Sequence, residues 1–144
     1  MSISIRRPIL AAFACAAALT FAAPAFAETI NLKADLKGTN EVPPNDSKGS
    51  GAVTATYDTV SKTLTWKGNY ASLSGPVAAA HFHAGEAGKN GGIAIPIPGA
   101  DKSPFEGSAI LTDAQAADLL AGRLYVNIHT AAHKAGEIRG QVVK

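Results

Sequence analysis

The segment ETINLKADLK, residues 28–37, alternates apolar and polar side chains, and this period is typical of a β-strand with one buried and one solvated face. Two further segments, GAVTATY at residues 51–57 and TLTWKGNY at 63–70, are rich in threonine and aromatic residues. Because only a short polar segment joins them, they predict a β-hairpin. Leu64 and Trp66 share one face of its second strand, and we expect that face to lie in the core.

The rest of the chain predicts further strands at the spacing of an antiparallel domain. They lie at residues 77–84, 93–97, 108–111, 124–130 and 137–143. Pro96 and Pro98 restrict the second of these strands to an edge of the sheet or to an irregular crossing. Thr112 and Gln115 match a capping box, which predicts one short helix at residues 113–121. Together these elements predict an all-β sandwich or barrel with a single helix.

The first 27 residues have the pattern of a secretory signal peptide. Two arginines precede an apolar run over residues 9–21, and a small-residue triplet follows at residues 25–27. We expect cleavage before Glu28. Residues 28–144 then form one domain, which is long enough for a single hydrophobic core and works in the periplasm or outside the cell.

Composition limits what this exported domain can do. Cys15 is the only cysteine and lies inside the predicted signal peptide, so core packing, alone or with a metal ion, must hold the domain together. Subtracting Arg6 and Arg7 from the 13 basic residues leaves 11, which equals the 11 acidic residues. A neutral domain without a basic cluster is not expected to bind nucleic acid. We expect no membrane span in the mature chain, because no apolar stretch after the signal peptide is long enough.

Several patterns that suggest catalysis are better interpreted as structure. Ser72 and Ser74 flank a turn and lack the context of an activated nucleophile. The glycine-rich segment 85–92 lacks the residues that end a phosphate-binding loop. Glu137 and Arg139 alternate along the last predicted strand, and we interpret them as an exposed or partly buried ion pair. The sequence indicates no particular protein partner.

All four histidines lie in two short segments. His81 and His83 are two residues apart on a predicted strand, so they point to one face while Phe82 points to the other. His129 ends another predicted strand, and His133 lies in the loop beyond it. If these strands are neighbours, three or four imidazoles meet at one rim of the sheet. Imidazole ligands without a thiolate suit copper, zinc or nickel, and export favours copper or zinc. The alternative is that they are ordinary surface or hydrogen-bonded histidines.

A series of ordered motifs carries a family resemblance. The motifs are EVPP (41–44), LSGP (73–76), AAHFHAG (79–85), GKNG (88–91), YVNIHT (125–130) and GEIRGQ (136–141). They span essentially the whole of residues 28–144. In this order they resemble the CHRD domain, which is named after chordin and is widespread in exported bacterial proteins.

The resemblance implies an immunoglobulin-like β-sandwich or barrel, distantly similar to copper/zinc superoxide dismutases. In the family pattern His81, His83 and His129 correspond to recurring histidines, whereas His133 stands where other residue types are expected. No histidine lies between His83 and His129, so the bridging imidazole and the zinc subsite of such a dismutase cannot be built. We therefore do not expect copper/zinc dismutase activity, although a mononuclear copper site is compatible with the sequence.

The sequence supports three functional hypotheses. The first is a non-catalytic module that holds a copper or zinc ion with His81, His83 and His129, either with or without His133 as a fourth ligand. The second is a metal-independent adhesion or scaffold domain in which the same histidines hydrogen-bond the loops at one end of the sandwich. The third is a redox enzyme that uses mononuclear copper. No organic cofactor is expected.

Overall fold

The computed structural model describes residues 26–144, and nearly all of the predicted signal peptide lies outside them. The described residues form eight strands and one α-helix. These are β1 (Thr29–Lys37), β2 (Ser50–Asp58), β3 (Thr63–Ala71), β4 (Val77–Ala84), β5 (Gly92–Pro96), β6 (Phe105–Ile110), α1 (Asp113–Leu120), β7 (Leu124–Thr130) and β8 (Ile138–Gln141). A short 3-10 turn at Gly38–Asn40 follows β1.

The eight strands form a single antiparallel sheet in the order β5-β4-β7-β8-β1-β2-β3-β6. The sheet curls into a nearly closed barrel, which confirms the predicted all-β sandwich or barrel with one short helix. Strand β5 lies at an edge of the sheet, as Pro96 and Pro98 predict, because proline has no N–H to donate to a further strand.

Alternation along the strands produces the hydrophobic core. On β1, Leu32 and Leu36 are buried, whereas the intervening Lys33 and Asp35 are exposed. A side chain of leucine size contributes about 1.5–3 kcal/mol when it is fully buried. The apolar face of β1 is therefore buried and its polar face is exposed, as predicted.

Strands β2 and β3 form the predicted hairpin. Tyr57 lies opposite Leu64, and Leu64 and Trp66 are almost completely buried. The Asp58 carboxylate accepts two backbone N–H hydrogen bonds in the turn, at 3.1 and 2.6 Å. These bonds satisfy turn donors that have no partner in the ladder.

The helix α1 begins at the predicted capping box. The Thr112 hydroxyl accepts the Gln115 N–H at 3.2 Å, and the Gln115 side-chain oxygen accepts the Thr112 N–H at 2.9 Å. The helix follows the edge strand β6, and the Gln115 side-chain amide donates to the Ala94 carbonyl of the opposite edge strand, β5, at 2.8 Å. The helix therefore links the two edges of the sheet.

Two strands have different bounds from the predicted ones. Strand β6 begins three residues early because Glu106 and Gly107 pair with β3 despite the low strand propensity of glycine. Strand β8 is shorter than predicted because the chain leaves it after Gln141, and Val143 then bridges to Lys33 of β1.

The interpretation of Glu137 and Arg139 as an ion pair is wrong. Both side chains are buried, and neither belongs to a salt bridge within residues 26–144. The Glu137 carboxylate instead accepts hydrogen bonds from the hydroxyls of Ser47, Ser74 and Thr130, at 2.6–2.7 Å. These partners lie in three different segments, so the carboxylate fastens two loops to the end of β7.

Arg139 lies on the outer side of the sheet and is also buried, because the segment 85–91 covers it. Its guanidinium donates to the carbonyl oxygens of Glu86 and Lys89, at 3.3 and 2.6 Å, and to the side-chain oxygen of Asn90 at 3.1 Å. The sequence pattern did not indicate these partners, because they lie about fifty positions before Arg139 in the chain. Arg139 thus holds the loop that lies beside the histidines.

Candidate metal centre

The pairing of β4 with β7 brings the histidine segments together. His81 lies opposite Asn127, and His83 lies opposite Tyr125. Because His129 is two residues beyond Asn127 on the same face, its ring reaches the two rings of β4 diagonally. Phe82 points the other way and is completely buried in the core, as predicted.

Three of the four histidines form one cluster. One ring nitrogen from each of His81, His83 and His129 lies within 4.8 Å of the corresponding nitrogens of the other two. His133 does not belong to this group within the described residues. It lies in the turn after β7, where its backbone N–H and carbonyl oxygen bond to Thr130. The structure thus unites three of the four predicted ligands.

Backbone carbonyl groups orient two of the imidazoles. His83 Nδ1 lies 3.1 Å from the Gly91 carbonyl oxygen, and His129 Nδ1 lies 3.0 Å from the Lys134 carbonyl oxygen. Because a carbonyl oxygen only accepts, each Nδ1 carries the proton and donates it. Each Nε2 then retains its lone pair. A backbone or carboxylate acceptor on the other ring nitrogen is the usual support of a metal-binding histidine.

The positions of the facing ring nitrogens fit a metal ion. His83 is 8% exposed, and its Nε2 has no hydrogen-bond partner. Leaving a buried polar atom unpaired costs about 1–3 kcal/mol. His81 Nδ1 and His129 Nε2 lie within hydrogen-bond distance of each other at 3.4 Å. This separation is also close to the roughly 3.3 Å between two nitrogens bound about 2.0 Å from one tetrahedral ion. Three imidazoles are a donor set that suits copper or zinc.

Electrostatics also favour the metal-binding form of these side chains. Burial lowers the pKa of His81, and the neighbouring His129 lowers it further. Burial is also the main cause that lowers the pKa of His83. The Gly91 hydrogen bond opposes that shift, whereas His129, His81 and Arg139 add to it. A lowered pKa keeps the imidazole neutral near neutral pH, and only neutral imidazole binds a metal.

An aromatic stack supports His83 from the side. Its ring is stacked on Tyr125, with centroids 5.0 Å apart and planes 8° from parallel. The Arg139 guanidinium carbon lies 3.4 Å from the centroid of the same Tyr125 ring. The Gly91 N–H donates to the Tyr125 hydroxyl at 3.1 Å, so one tyrosine contacts both His83 and the residue that orients it. Sequence reasoning missed this role, although Tyr125 shares a face of β7 with His129.

Gly91 is held so close to β4 that no side chain fits. A Cβ atom at this position would overlap the carbonyl oxygen of Ala84. The close approach places the Gly91 carbonyl oxygen against His83 Nδ1. A glycine at position 91 of this glycine-rich segment is therefore what allows the backbone to come close enough to orient His83.

The cluster opens on a pocket of about 550 Å³. Its walls are mostly apolar, and they include Ile93, which leaves 63% of its surface accessible. The lining residues are Ala78, Ala79, His81, His83, Ile93, His129, Thr130, Ala131 and Lys134. All three histidines thus line a pocket that is open to solvent on one side.

No helix within residues 26–144 is long and apolar enough to cross a membrane. Neither the curated proteins nor the solved structures that were searched contain a match to this chain. The distant similarity to copper/zinc superoxide dismutases therefore stays a prediction.

A family model, described as the CHRD domain, matches residues 32–142. The match begins in β1, includes all three clustered histidines and ends just after β8. It covers well over half of the 144 residues. This chain therefore belongs to the CHRD domain family.

Proposed function

We propose that this protein is a non-catalytic metal-binding module that holds one copper or zinc ion with His81, His83 and His129. One observation carries the proposal: His83 Nε2 is buried without a partner, and His83 belongs to a group of three histidines that each have one ring nitrogen within 4.8 Å of the others. A hydrogen-bonded structural cluster would be expected to satisfy this nitrogen. A metal ion satisfies it and the neighbouring lone pairs together.

The orientation of the rings supports the same proposal. The carbonyl groups of Gly91 and Lys134 fix the proton on the far nitrogen of His83 and of His129. The lone pair of His83 Nε2 is therefore free, and an ion would replace the contact between His81 Nδ1 and His129 Nε2. A site that is prepared in this way loses little conformational entropy when the ion binds.

Metal titration of the refolded, metal-free protein tests the proposal. Calorimetry with Zn²⁺, and electron paramagnetic resonance with Cu²⁺, should each show one ion per chain. His83→Ala should lower the affinity by more than the roughly 10–100-fold that the loss of an outer support costs. His133→Ala is the matched control, because this histidine lies outside the cluster, and it should bind like the unchanged protein.

Other results would favour the other hypotheses. Affinity no greater than that of one exposed histidine would contradict the proposal and favour a metal-independent adhesion or scaffold domain. Equal losses in His83→Ala and His133→Ala would contradict the three-histidine set. Turnover of the copper-loaded protein in aerobic superoxide or oxidase assays would contradict the non-catalytic role.

We further propose that the protein acts after export. CHRD domains are typically extracellular, and residues 1–27 have the pattern of a signal peptide. Expression of the full chain in a bacterial host, followed by fractionation and N-terminal sequencing, should give an exported protein that begins at Glu28. A cytoplasmic product that retains residues 1–27 would contradict this proposal.

A further inference from the structure

The pocket beside the histidines combines an apolar wall with a place for positive charge. Ala78, Ala79 and Ala131 line it together with Ile93, whose exposure is high for a large apolar side chain. Its volume of about 550 Å³ lies within the range of small-molecule sites. A metal ion held only for structural reasons does not need an apolar pocket at its side.

The charges around this pocket are unbalanced once a metal ion is bound. Three neutral imidazoles leave both positive charges of a divalent ion uncompensated. Among the described residues, the lining contains no aspartate or glutamate, and it contains one cation, Lys134. The pocket therefore attracts an anion rather than a cation or a neutral molecule.

Three protein ligands also leave a position on the ion free for an external ligand. A monoanion with a short hydrocarbon tail matches both properties of the pocket. Its charged end meets the ion and Lys134, and its tail covers the surface of Ile93 and the alanines. An inorganic anion would leave that apolar surface in water.

We infer that the pocket binds a short-chain monocarboxylate, which contacts the metal ion through its carboxylate group and Ile93 through its alkyl chain. This inference rests on the proposed function, because the metal ion supplies most of the positive charge. It extends that function by assigning an organic ligand to the site.

Calorimetric titration of the zinc-loaded protein with butyrate, acetate and butylammonium tests the inference. Butyrate should bind about tenfold more tightly than acetate, because two more methylene groups leave water. Butylammonium has a similar tail and the opposite charge, and it should not bind. Metal-free protein should bind butyrate at least tenfold more weakly than zinc-loaded protein.

Two variants separate the tail contact from the charge contact. Ile93→Ser should weaken butyrate binding about fivefold and leave acetate binding unchanged. Ile110→Ser is the matched control, since Ile110 is 77% exposed and lies on the other edge strand, β6. Lys134→Gln should weaken the binding of butyrate and acetate by a similar factor, because both carry the same charge. The substitution keeps the Lys134 backbone carbonyl, so the orientation of His129 should not change.

The results distinguish this inference from the proposed function. If zinc binds stoichiometrically but butyrate and acetate bind equally or not at all, the ligand assignment is wrong and the metal site stands. If zinc does not bind, the proposed function fails. If butyrate binds equally well with and without zinc, the pocket recognises it without the ion, and the inference is overturned. Equal effects of Ile93→Ser and Ile110→Ser would also overturn it.

Discussion

The imidazole of His83 lies flat against the phenol ring of Tyr125, with centroids 5.0 Å apart and planes 8° from parallel. The first residue belongs to the histidine cluster, and the second is buried under the loop that Arg139 holds. The contact fixes the plane of the His83 ring, while the hydrogen bond to the Gly91 carbonyl oxygen fixes the direction in which Nδ1 points within that plane. Together these contacts should determine how well the site is organised before a metal ion arrives.

Removing the aromatic ring beside His83 should weaken metal binding. We predict that Tyr125→Leu lowers the zinc affinity by about 10–100-fold, the usual effect of losing an outer support of a ligand. Competition with a chromophoric chelator measures this loss. Tyr57→Leu is a matched control, because Tyr57 is equally buried on the core side of β2. It should reduce the free energy of unfolding by about 2–4 kcal/mol without changing the affinity. Equal affinity losses in both variants would mean that general destabilisation is the cause.

The close approach of Gly91 to β4 should make this position intolerant of a side chain. We predict that Gly91→Ala lowers the free energy of unfolding by about 1–3 kcal/mol, because its methyl group would overlap the Ala84 carbonyl oxygen. It should also weaken metal binding, since the Gly91 carbonyl oxygen orients His83. Gly75→Ala serves as the control, because no atom lies within 4 Å of the added carbon. Urea denaturation measures the free energy of unfolding of both variants. If Gly91→Ala leaves this free energy unchanged, the packing described for this loop is contradicted.

The buried carboxylate of Glu137 should make stability depend on pH in acid. Burial alone would raise the pKa of Glu137. Hydrogen bonds from Thr130, Ser74 and Ser47 outweigh burial and lower it to about 2. Because the folded pKa is below the unfolded value of 4.5, this contribution is present above pH 4.5. It is lost as the pH falls towards 2, and the difference of about two and a half units corresponds to about 3 kcal/mol.

The variant Glu137→Gln should lack this dependence. Urea unfolding from pH 2 to 5 should therefore show that the stability advantage of the unchanged protein over Glu137→Gln grows by about 3 kcal/mol across this range. Glu106→Gln provides the control, because Glu106 is an exposed residue 3.8 Å from Lys67. Parallel curves for the unchanged protein and Glu137→Gln would show that the hydrogen bonds do not depress this pKa.

Glu41 should have the opposite effect on stability. Burial raises its pKa to about 7, although Arg139 and the Asn127 side chain oppose the shift. The folded protein retains this proton at pH values where the unfolded chain has lost it. The contribution of Glu41 therefore falls as the pH rises from 4.5 to about 7, by about 3 kcal/mol in all.

Replacing Glu41 with a permanently neutral side chain should remove that loss. Relative to the unchanged protein, Glu41→Gln should become about 3 kcal/mol more stable between pH 4.5 and 8. Denaturation at a series of pH values measures the difference in the free energy of unfolding. Asn45→Ala is the control, because Asn45 is partly buried and carries no charge, and its stability relative to the unchanged protein should not vary with pH in this way. A difference that stays constant with pH would show that Glu41 titrates normally.

Much of this fold was predictable because its information is local. The alternation of β1 and the capping box at Thr112 involve only neighbouring residues, and both predictions are confirmed. The convergence of His81, His83 and His129 was predictable only on the condition that β4 and β7 are neighbours. Strand alternation supplies the facing side chains, but the order of strands in a sheet depends on contacts between distant residues.

The supports of the site were not predictable in this way. Arg139 donates to the carbonyl oxygens of Glu86 and Lys89. Every residue has a backbone carbonyl group, so the residue types in the sequence do not show which of them will accept a hydrogen bond. The nearest opposite charge in the sequence, Glu137, was therefore a misleading partner. His133 shows the same limit, since proximity to His129 in the chain does not bring its ring into the cluster.

The bond from Gln115 to Ala94 concerns more than the shape of the sheet. Exposed strand edges can recruit strands from other molecules and so begin aggregation. In this protein α1 follows the edge strand β6, and its Gln115 side chain occupies the Ala94 carbonyl group of the other edge strand, β5. That acceptor is therefore not available to a foreign strand. A helix of eight residues thereby helps to keep an edge of this sheet from pairing with another molecule.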